Sequence, residues 1–387
     1  MKTENFYMLA KTMYGLEEIL ADELKELGAQ NIKILNRAVS FKGDKGFMYK
    51  ANLNLRTALR VLKPIAHFQA HDEKELYRKL CEIDWTNIFE LESTFSTQAT
   101  CNSDVFTHSK YASLVLKDAI ADTFRKKYKT RPNVDPKESD IKIHLHINKH
   151  TCTISLDSSG DSLHKRGYKL DAVTAPMNEV LAAGLILLSN WNKTSDFHDP
   201  MCGSGTVVIE AALIAYNIPV NIFRQQFGFQ SWKDFDEVLW EKIVETSLNK
   251  EKNYTGKITG SDNFQKAVRI SRTNIDNALL KDNIKITNSN FFEQKIHPGT
   301  FVLFNPPYGE RLDIEVDDFY EKVGTTLKHN YQECEVWLIS SDISNIKHIG
   351  LKPNKKIKVF NGELECSFRN FNVYDGSKKT KKTPALN

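Results

Sequence analysis

Cysteine is scarce and scattered: six in 387 residues (Cys81, Cys101, Cys152, Cys202, Cys334, Cys366), with no CxxC pair. That spacing offers neither a zinc ligand set nor a disulfide framework, and predicts mostly buried free thiols in a reducing compartment, the cytoplasm. No metal site is expected. Long apolar runs are also missing. The longest, Val180 to Leu188, is half the roughly 18 residues a bilayer span needs. The N-terminus lacks a basic stretch leading into an apolar core, so neither a membrane partner nor a signal peptide is expected. No repeat with a period of 20–50 residues is present. Charge is nearly balanced: 53 basic against 49 acidic residues leave +4, too little to specify a nucleic-acid partner, though a local basic patch is permitted. Lys378, Lys379, Lys381 and Lys382 sit in a polar tail expected to have no fixed structure.

The length predicts two or three domains. Residues 1–56 read as a small α+β unit. Phe6 to Leu9 looks like a strand, and Leu16 to Leu27 is a helix with apolar residues spaced by three and four, stopped by Gly28. Strands over Ile32–Leu35 and Ala38–Phe41 follow, then a turn at Gly43–Gly46. Residues 57–160 read as a second α+β unit. It has a helix through Leu76, Leu80 and Ile83, a strand over Thr94–Cys101, and a longer helix over Ala112–Tyr128. A hairpin made of Ile141–Ile147 and Thr151–Leu156 closes it. Lys117, Arg125, Lys126, Lys127 and Lys129 give the longer helix a basic face that serves either solvation or RNA contact. His144 and His146 share a strand face, where solvated side chains are expected rather than a metal pair. Asp157 to Asp161, rich in Ser and Gly, is expected to be a linker.

From 161 to 387 the pattern changes. An apolar helix over Ala175–Leu188 precedes alternating elements: strands at Phe197–His198, Lys257–Ser261, Ile284–Thr287, Phe301–Phe304 and Glu335–Ser340, with helices at Val207–Tyr216, Gln265–Leu279 and Phe319–His329. Alternation of this kind predicts a parallel sheet with helices on both faces. Ile357–Phe360 and Glu363–Tyr374 read as a terminal antiparallel hairpin turning at Asn361-Gly362.

Three loops at strand ends carry chemistry. Asp199-Pro-Met-Cys202-Gly203-Ser-Gly205-Thr206 joins a strand to a helix. Its glycines allow a close ligand approach, and the acid suits an amino group or positive charge. It is neither GxGxxG nor a phosphate loop. Asp262, ending the next strand, is placed to accept ribose hydroxyls or to cap the following helix. Between these two loops lies an aromatic-rich insertion with Phe223, Phe227, Phe229, Trp232 and Trp240. Asn305-Pro306-Pro307-Tyr308 follows an apolar strand. Its prolines stiffen the loop, and the Asn305 side-chain oxygen and Pro306 carbonyl become neighbouring acceptors for the two N–H groups of an aromatic amine. Such a nitrogen is a poor nucleophile because its lone pair is delocalised. Holding its hydrogens favours a pyramidal form, and Tyr308 is placed to stack on the base.

DPMCGSGT, GSDN and NPPYGERL at successive strand ends resemble class I methyltransferases acting on exocyclic amines. HKRGY (164–168), Ala175-Pro176, the helix to Trp191 and the Phe227-Gly-Phe…Trp232 insertion resemble the 23S ribosomal RNA guanine-N2 methyltransferases, namely the N-terminal half of RlmL and its shorter stand-alone relatives. The resemblance implies a ferredoxin-like unit (1–56), a THUMP RNA-binding domain (57–160) and a Rossmann-like, doubly wound, seven-stranded catalytic domain (161–387). It implies S-adenosylmethionine as cofactor, S-adenosylhomocysteine as product, and RNA as partner, 23S rRNA or a ribosome assembly intermediate. Asp199, Cys202, Gly203, Gly205 and Thr206 would line the methionine end, Asp262 the ribose, and Asn263, Asn290 and Phe291 the adenine. Asn290 stands where the family usually has Asp, so its oxygen would accept the adenine amino hydrogen without charge. Asn305, Pro306 and Tyr308 would present the amine, with Asn305 also bordering the cofactor. A protein glutamine methyltransferase, a tRNA guanine-N2 methyltransferase and a non-catalytic RNA-binding protein are the alternatives.

Overall fold

The computed structural model describes residues 4–170, 172, 176–307 and 316–374. The chain splits into two compact units, Met1–Lys165 with Arg224–Asn249, and Arg166–Phe223 with Lys250–Asn387.

In the first unit the elements run β1 (Phe6–Lys11), α1 (Glu17–Leu27), β2 (Gln30–Leu35), β3 (Ala38–Gly43), α2 (Lys45–Asn54), β4 (Arg60–Gln69), α3 (Glu73–Cys81), β5 (Phe95–Asn102), α4 (Ser109–Tyr128), β6 (Ile141–Asn148) and β7 (Thr151–Asp157). Leu20 and Leu24 of α1 are buried one turn apart, and Gly28 (φ 97°) ends the helix in the left-handed conformation that lets its N–H return to Leu24 and Lys25. The seven strands form one sheet, β2-β3-β1-β4-β7-β6-β5. β4 pairs with β1 on one side and β7 on the other, so the two expected α+β parts share a sheet. Pro64 and a register shift before Ala66 hide that strand from pattern reading. The apolar faces of the strands and helices form one core.

Two expectations need correction here. Gly43–Gly46 is no simple turn: Asp44 accepts from the Phe47 N–H at 2.8 Å and caps α2. Asp157–Asp161 is no solvated linker: Asp157, Ser158 and Ser159 are fully buried. Asn52 holds both serines (2.8 and 2.7 Å), and Arg60 pairs with Asp157. His144 lies 3.3 Å from Asp157, whereas His146 is exposed. On α4, Lys117 and Arg125 pair with Asp118 and Asp122 at 2.8 Å, and Lys127 donates to Thr86.

The chain continues through α5 (Glu179–Leu188), β8 (Phe197–Asp199), α6 (Thr206–Ala215), α7 (Glu237–Leu248), β9 (Ile258–Asp262), α8 (Gln265–Asn277), β10 (Ile284–Asn288), β11 (Phe301–Phe304), α9 (Val316–Asn330), β12 (Glu335–Ser340), β13 (Lys355–Asn361) and β14 (Leu364–Asn372). The second unit holds the sheet β10-β9-β8-β11-β12-β14-β13. β8 to β12 are parallel and β14 enters antiparallel between β12 and β13, as the hairpin pattern requires. Strand order reverses at β8, whose neighbours are β9 and β11. In open α/β sheets such a reversal opens a crevice beyond the carboxyl ends of the strands.

Residues 224–249, including α7, group with the first unit although they interrupt the second in sequence. The cause is aromatic. Phe229 stacks on Tyr49 of α2 (4.3 Å between centroids) and on Phe227 (5.3 Å), with Trp240 edge-on at 5.3 Å. Gly160 (φ 74°) and Gly228 pass so close that a Cβ on Gly228 would lie 2.5 Å from the Asp157 carbonyl oxygen.

Candidate active site

β10, β9 and β8 end in Asn288, Asp262 and Asp199, and β11 runs directly into Asn305. Asn288 pairs with Asp262 across one strand boundary, Asp199 with Gly260 across the next, and β11 flanks β8 in parallel. With neighbouring strands about 4.8 Å apart, the three candidates Asp262, Asp199 and Asn305 line one edge of the sheet beside Asn288. That edge faces the crevice created at β8.

The glycine turn is built around Asp262. Its Oδ2 accepts from Gly203 N (3.0 Å) and its Oδ1 from Phe264 N (2.9 Å), while Cys202 N donates to Ser261 O (2.9 Å). Gly203 and Gly205 have φ of 53° and 81°. A Cβ on Gly205 would lie 3.1 Å from the Ser271 Cβ, so this turn needs glycine for conformation and for space. Gly205 caps α6, which starts at Thr206 and is buried throughout. Asp199 is 2% exposed and accepts from Met201 N at 3.0 Å. Burial, with a smaller push from Asp262, raises its carboxyl to about 8. Burial also drives the Cys202 thiol well above its ordinary range, so it is a lining group rather than a nucleophile.

The remaining expected residues are divided. Asn263 is exposed beside Asp262, Asn305 is half-buried and Pro306 buried. Asn290 Oδ1, expected to meet an adenine amino group, already accepts from Phe292 N (3.1 Å) as the cap of a short 3-10 turn. Phe291 turns its ring into the core against Phe304 and Tyr331, leaving only its backbone to line a ligand. Tyr308 lies outside the described residues.

Sequence reasoning missed a buried polar layer under these loops. His198, next to Asp199, contacts Thr259 (2.8 Å) and Gln294 (3.1 Å), and Gln294 also reaches Ser261 next to Asp262. Burial holds the His198 ring neutral, down to about 4. Asn274 of α8 donates to Ser204 O in the glycine turn (3.0 Å). Its signal was present: an amide among Val268, Ile270 and Ile275 on the buried face of an amphipathic helix, a face it shares with Ser271. Among the described residues, no three metal-ligating side chains cluster and no helix is long and apolar enough to cross a membrane.

Comparison with known proteins matches three family descriptions in chain order: an RlmL ferredoxin-like domain over 7–62, a THUMP domain over 70–157, and an RMKL-like methyltransferase domain over 166–370. A Synechocystis sp. protein named as an RNA methyltransferase is 36% identical over 93% of this chain and 95% of its own length. The ribosomal RNA large subunit methyltransferase K/L of Syntrophotalea carbinolica is 35% identical over 93% of this chain, which spans only 52% of that longer protein. The crystal structure of the methyltransferase SMU.472 complexed with S-adenosylhomocysteine is 29% identical, with a TM-score of 0.85 over 97% of this chain and all of that one. The chain therefore belongs to the RMKL-like methyltransferases that carry ferredoxin-like and THUMP domains ahead of the catalytic fold.

Proposed function

We propose that this RNA methyltransferase transfers the methyl group of S-adenosylmethionine to guanine N2 in 23S ribosomal RNA. One observation carries the reading: the glycine turn with Asp199 and the Asn305-Pro306 loop leave adjacent strands, β8 and β11, on either side of the crevice. The residues present suit the cofactor. Asp199 is a buried carboxylate pushed toward its neutral form, and a cationic amino group beside it would restore its charge. Asp262 accepts one hydrogen bond on each oxygen from the backbone and keeps further lone pairs for ribose hydroxyls. The turn between them is held free of side chains at Gly205 by its left-handed backbone (φ 81°) and by the Ser271 Cβ, 3.1 Å from where a Cβ would sit.

S-adenosylmethionine supplies, when bound, an electrophilic methyl on a sulfonium. Asn305 Oδ1 and the Pro306 carbonyl accept the two amine hydrogens and hold the nitrogen pyramidal, with its lone pair toward the glycine turn. This is positioning and electrostatics, without a strong general base. As the N–C bond forms, the C–S bond would break to leave the neutral thioether of S-adenosylhomocysteine, and the alkylated nitrogen, now acidic, would release its proton to solvent. A base inside a helix cannot reach the crevice, so the target guanine is flipped out or unpaired; a fluorescent base analogue at the target that stays stacked on binding would argue otherwise. The large-subunit rRNA named for the Syntrophotalea relative supports the substrate.

Nucleoside mass spectrometry of ribosomal and transfer RNA, from cells with and without the gene, tests this. The expected result is loss of N2-methylguanosine from 23S rRNA alone. Loss from tRNA, loss of an adenine methyl group, or methylation confined to protein glutamine would overturn it.

A further inference from the structure

The near-neutral net charge hides a segregation by layer. The seven strands of the first unit hold six Lys or Arg residues against one carboxylate, Asp157. That carboxylate is buried, and His144 and Arg60 hold it below its ordinary value despite burial. The acids lie in the helical layer instead: α1 alone has five. One face of the sheet is packed into the core through Met8, Ala10, Val39, Phe41 and Val61. By strand alternation the opposite face presents Tyr7, Lys11, Lys42, Arg60 and, on the edge strand β2, Lys33.

Tyr7 is 53% exposed in mid-strand, its ring outside the apolar core. Lys42 stands directly opposite it, with Nζ 5.7 Å from the ring centroid. Lys33 pairs with Ser40, two residues along the same face from Lys42. Lys11 faces Arg60 across β1 and β4, and burial together with Arg60 pushes its ammonium below its ordinary value. A solvent-facing ring beside Lys33 and Lys42, on a sheet whose single carboxylate is buried against Arg60, matches what an unpaired nucleic-acid strand needs: a stacking platform with phosphate partners beside it.

We propose that the open face of β2, β3 and β1 binds a single strand of the substrate RNA, one base stacked on Tyr7 and its flanking phosphates on Lys33 and Lys42. This rests on the RNA-methyltransferase reading and assigns the contact to the first strands of the chain, away from the basic face of α4.

The test is fluorescence anisotropy of a fluorescein-labelled 12-nucleotide oligouridylate with the full-length protein at several salt concentrations. Wild type should bind. Tyr7→Ala should weaken binding about fivefold or more, and Tyr7→Trp should keep it, a rescue that a merely structural role would not show. Lys33→Glu with Lys42→Glu should weaken it further and flatten the logarithmic salt slope by about 1.4, the change expected when two phosphates of a single strand lose their cationic partners. Thermal midpoint and S-adenosylhomocysteine affinity should not move, and Lys126→Glu on α4 with Lys129→Glu at its C-cap should bind as wild type. Wild type that ignores the oligonucleotide, Tyr7 and Lys variants that bind normally, or loss confined to the α4 variant would each overturn the proposal. Methyl transfer to total ribosomal RNA, measured alongside, separates the two readings. Normal transfer with normal binding by the variants removes only the platform; Tyr7-dependent binding without any transfer to RNA removes only the methylation reading.

Discussion

Removing the Asn305 side chain takes away an amide oxygen at the end of β11 while leaving Asp199 and Asp262 in place. Asn305→Ala should therefore cut turnover by at least about 100-fold, with S-adenosylhomocysteine affinity within about twofold of wild type by calorimetry. Equal losses in both would mean that the residue supports the cofactor instead. Asp199 predicts a pH signature. Its folded carboxyl titrates near 8, against an ordinary value near 4 in the unfolded chain. Between those values the folded protein holds a proton that the unfolded chain has released, so this group's contribution to stability falls as pH rises toward 8 and is level above it. Binding a cationic amino group favours the ionised form. Cofactor affinity should thus rise from pH 6 to 8, after correction for the ligand's own titration, and Asp199→Asn should weaken binding and flatten the profile. His198 acts with the opposite sign: neutral down to about 4, it costs stability as pH falls from its ordinary 6.5 toward that value.

Among elements, the segment carrying α7 makes the clearest prediction. Alanine at Gly228 would force its Cβ to 2.5 Å from the Asp157 carbonyl oxygen and 2.7 Å from Gly160 N, both backbone atoms. Overpacking of about 1–3 kcal/mol should lower the thermal midpoint by several degrees, while cofactor affinity stays unchanged because the clash lies in the first unit. A drop in affinity instead would tie the segment to the catalytic fold. Its aromatic content was visible in sequence, but not which unit would receive it, because period and propensity carry no long-range pairing. The same boundary separates what was legible elsewhere. β12 and the terminal hairpin follow from alternation and Asn361-Gly362. β4 was missed because Pro64 breaks the pattern of a strand whose partners lie far along the chain, and α2 because Asp44 between two glycines looks like a turn until its capping bond is seen. At the site, residue types at strand ends were readable. The use of Asn290 Oδ1 as a cap, the inward ring of Phe291 and the His198–Gln294 layer depend on tertiary contacts that no local pattern encodes.

At the scale of the molecule, a chain with a formal charge of only +4 presents a sheet almost free of carboxylates, because its acids are gathered on helices. Net charge averages away such a layer. The catalytic claim is equally collective: no single motif makes the site, which exists because strand order reverses at β8 and sets two loops about 100 residues apart in sequence on neighbouring strands. The most direct measurement incubates purified protein with S-adenosylmethionine and an unmodified 23S rRNA transcript or assembly particle, then reads the digested nucleosides by mass spectrometry. The account predicts N2-methylguanosine with wild type and essentially none with Asn305→Ala at saturating cofactor. The same N2-methylguanosine yield from both proteins would contradict it.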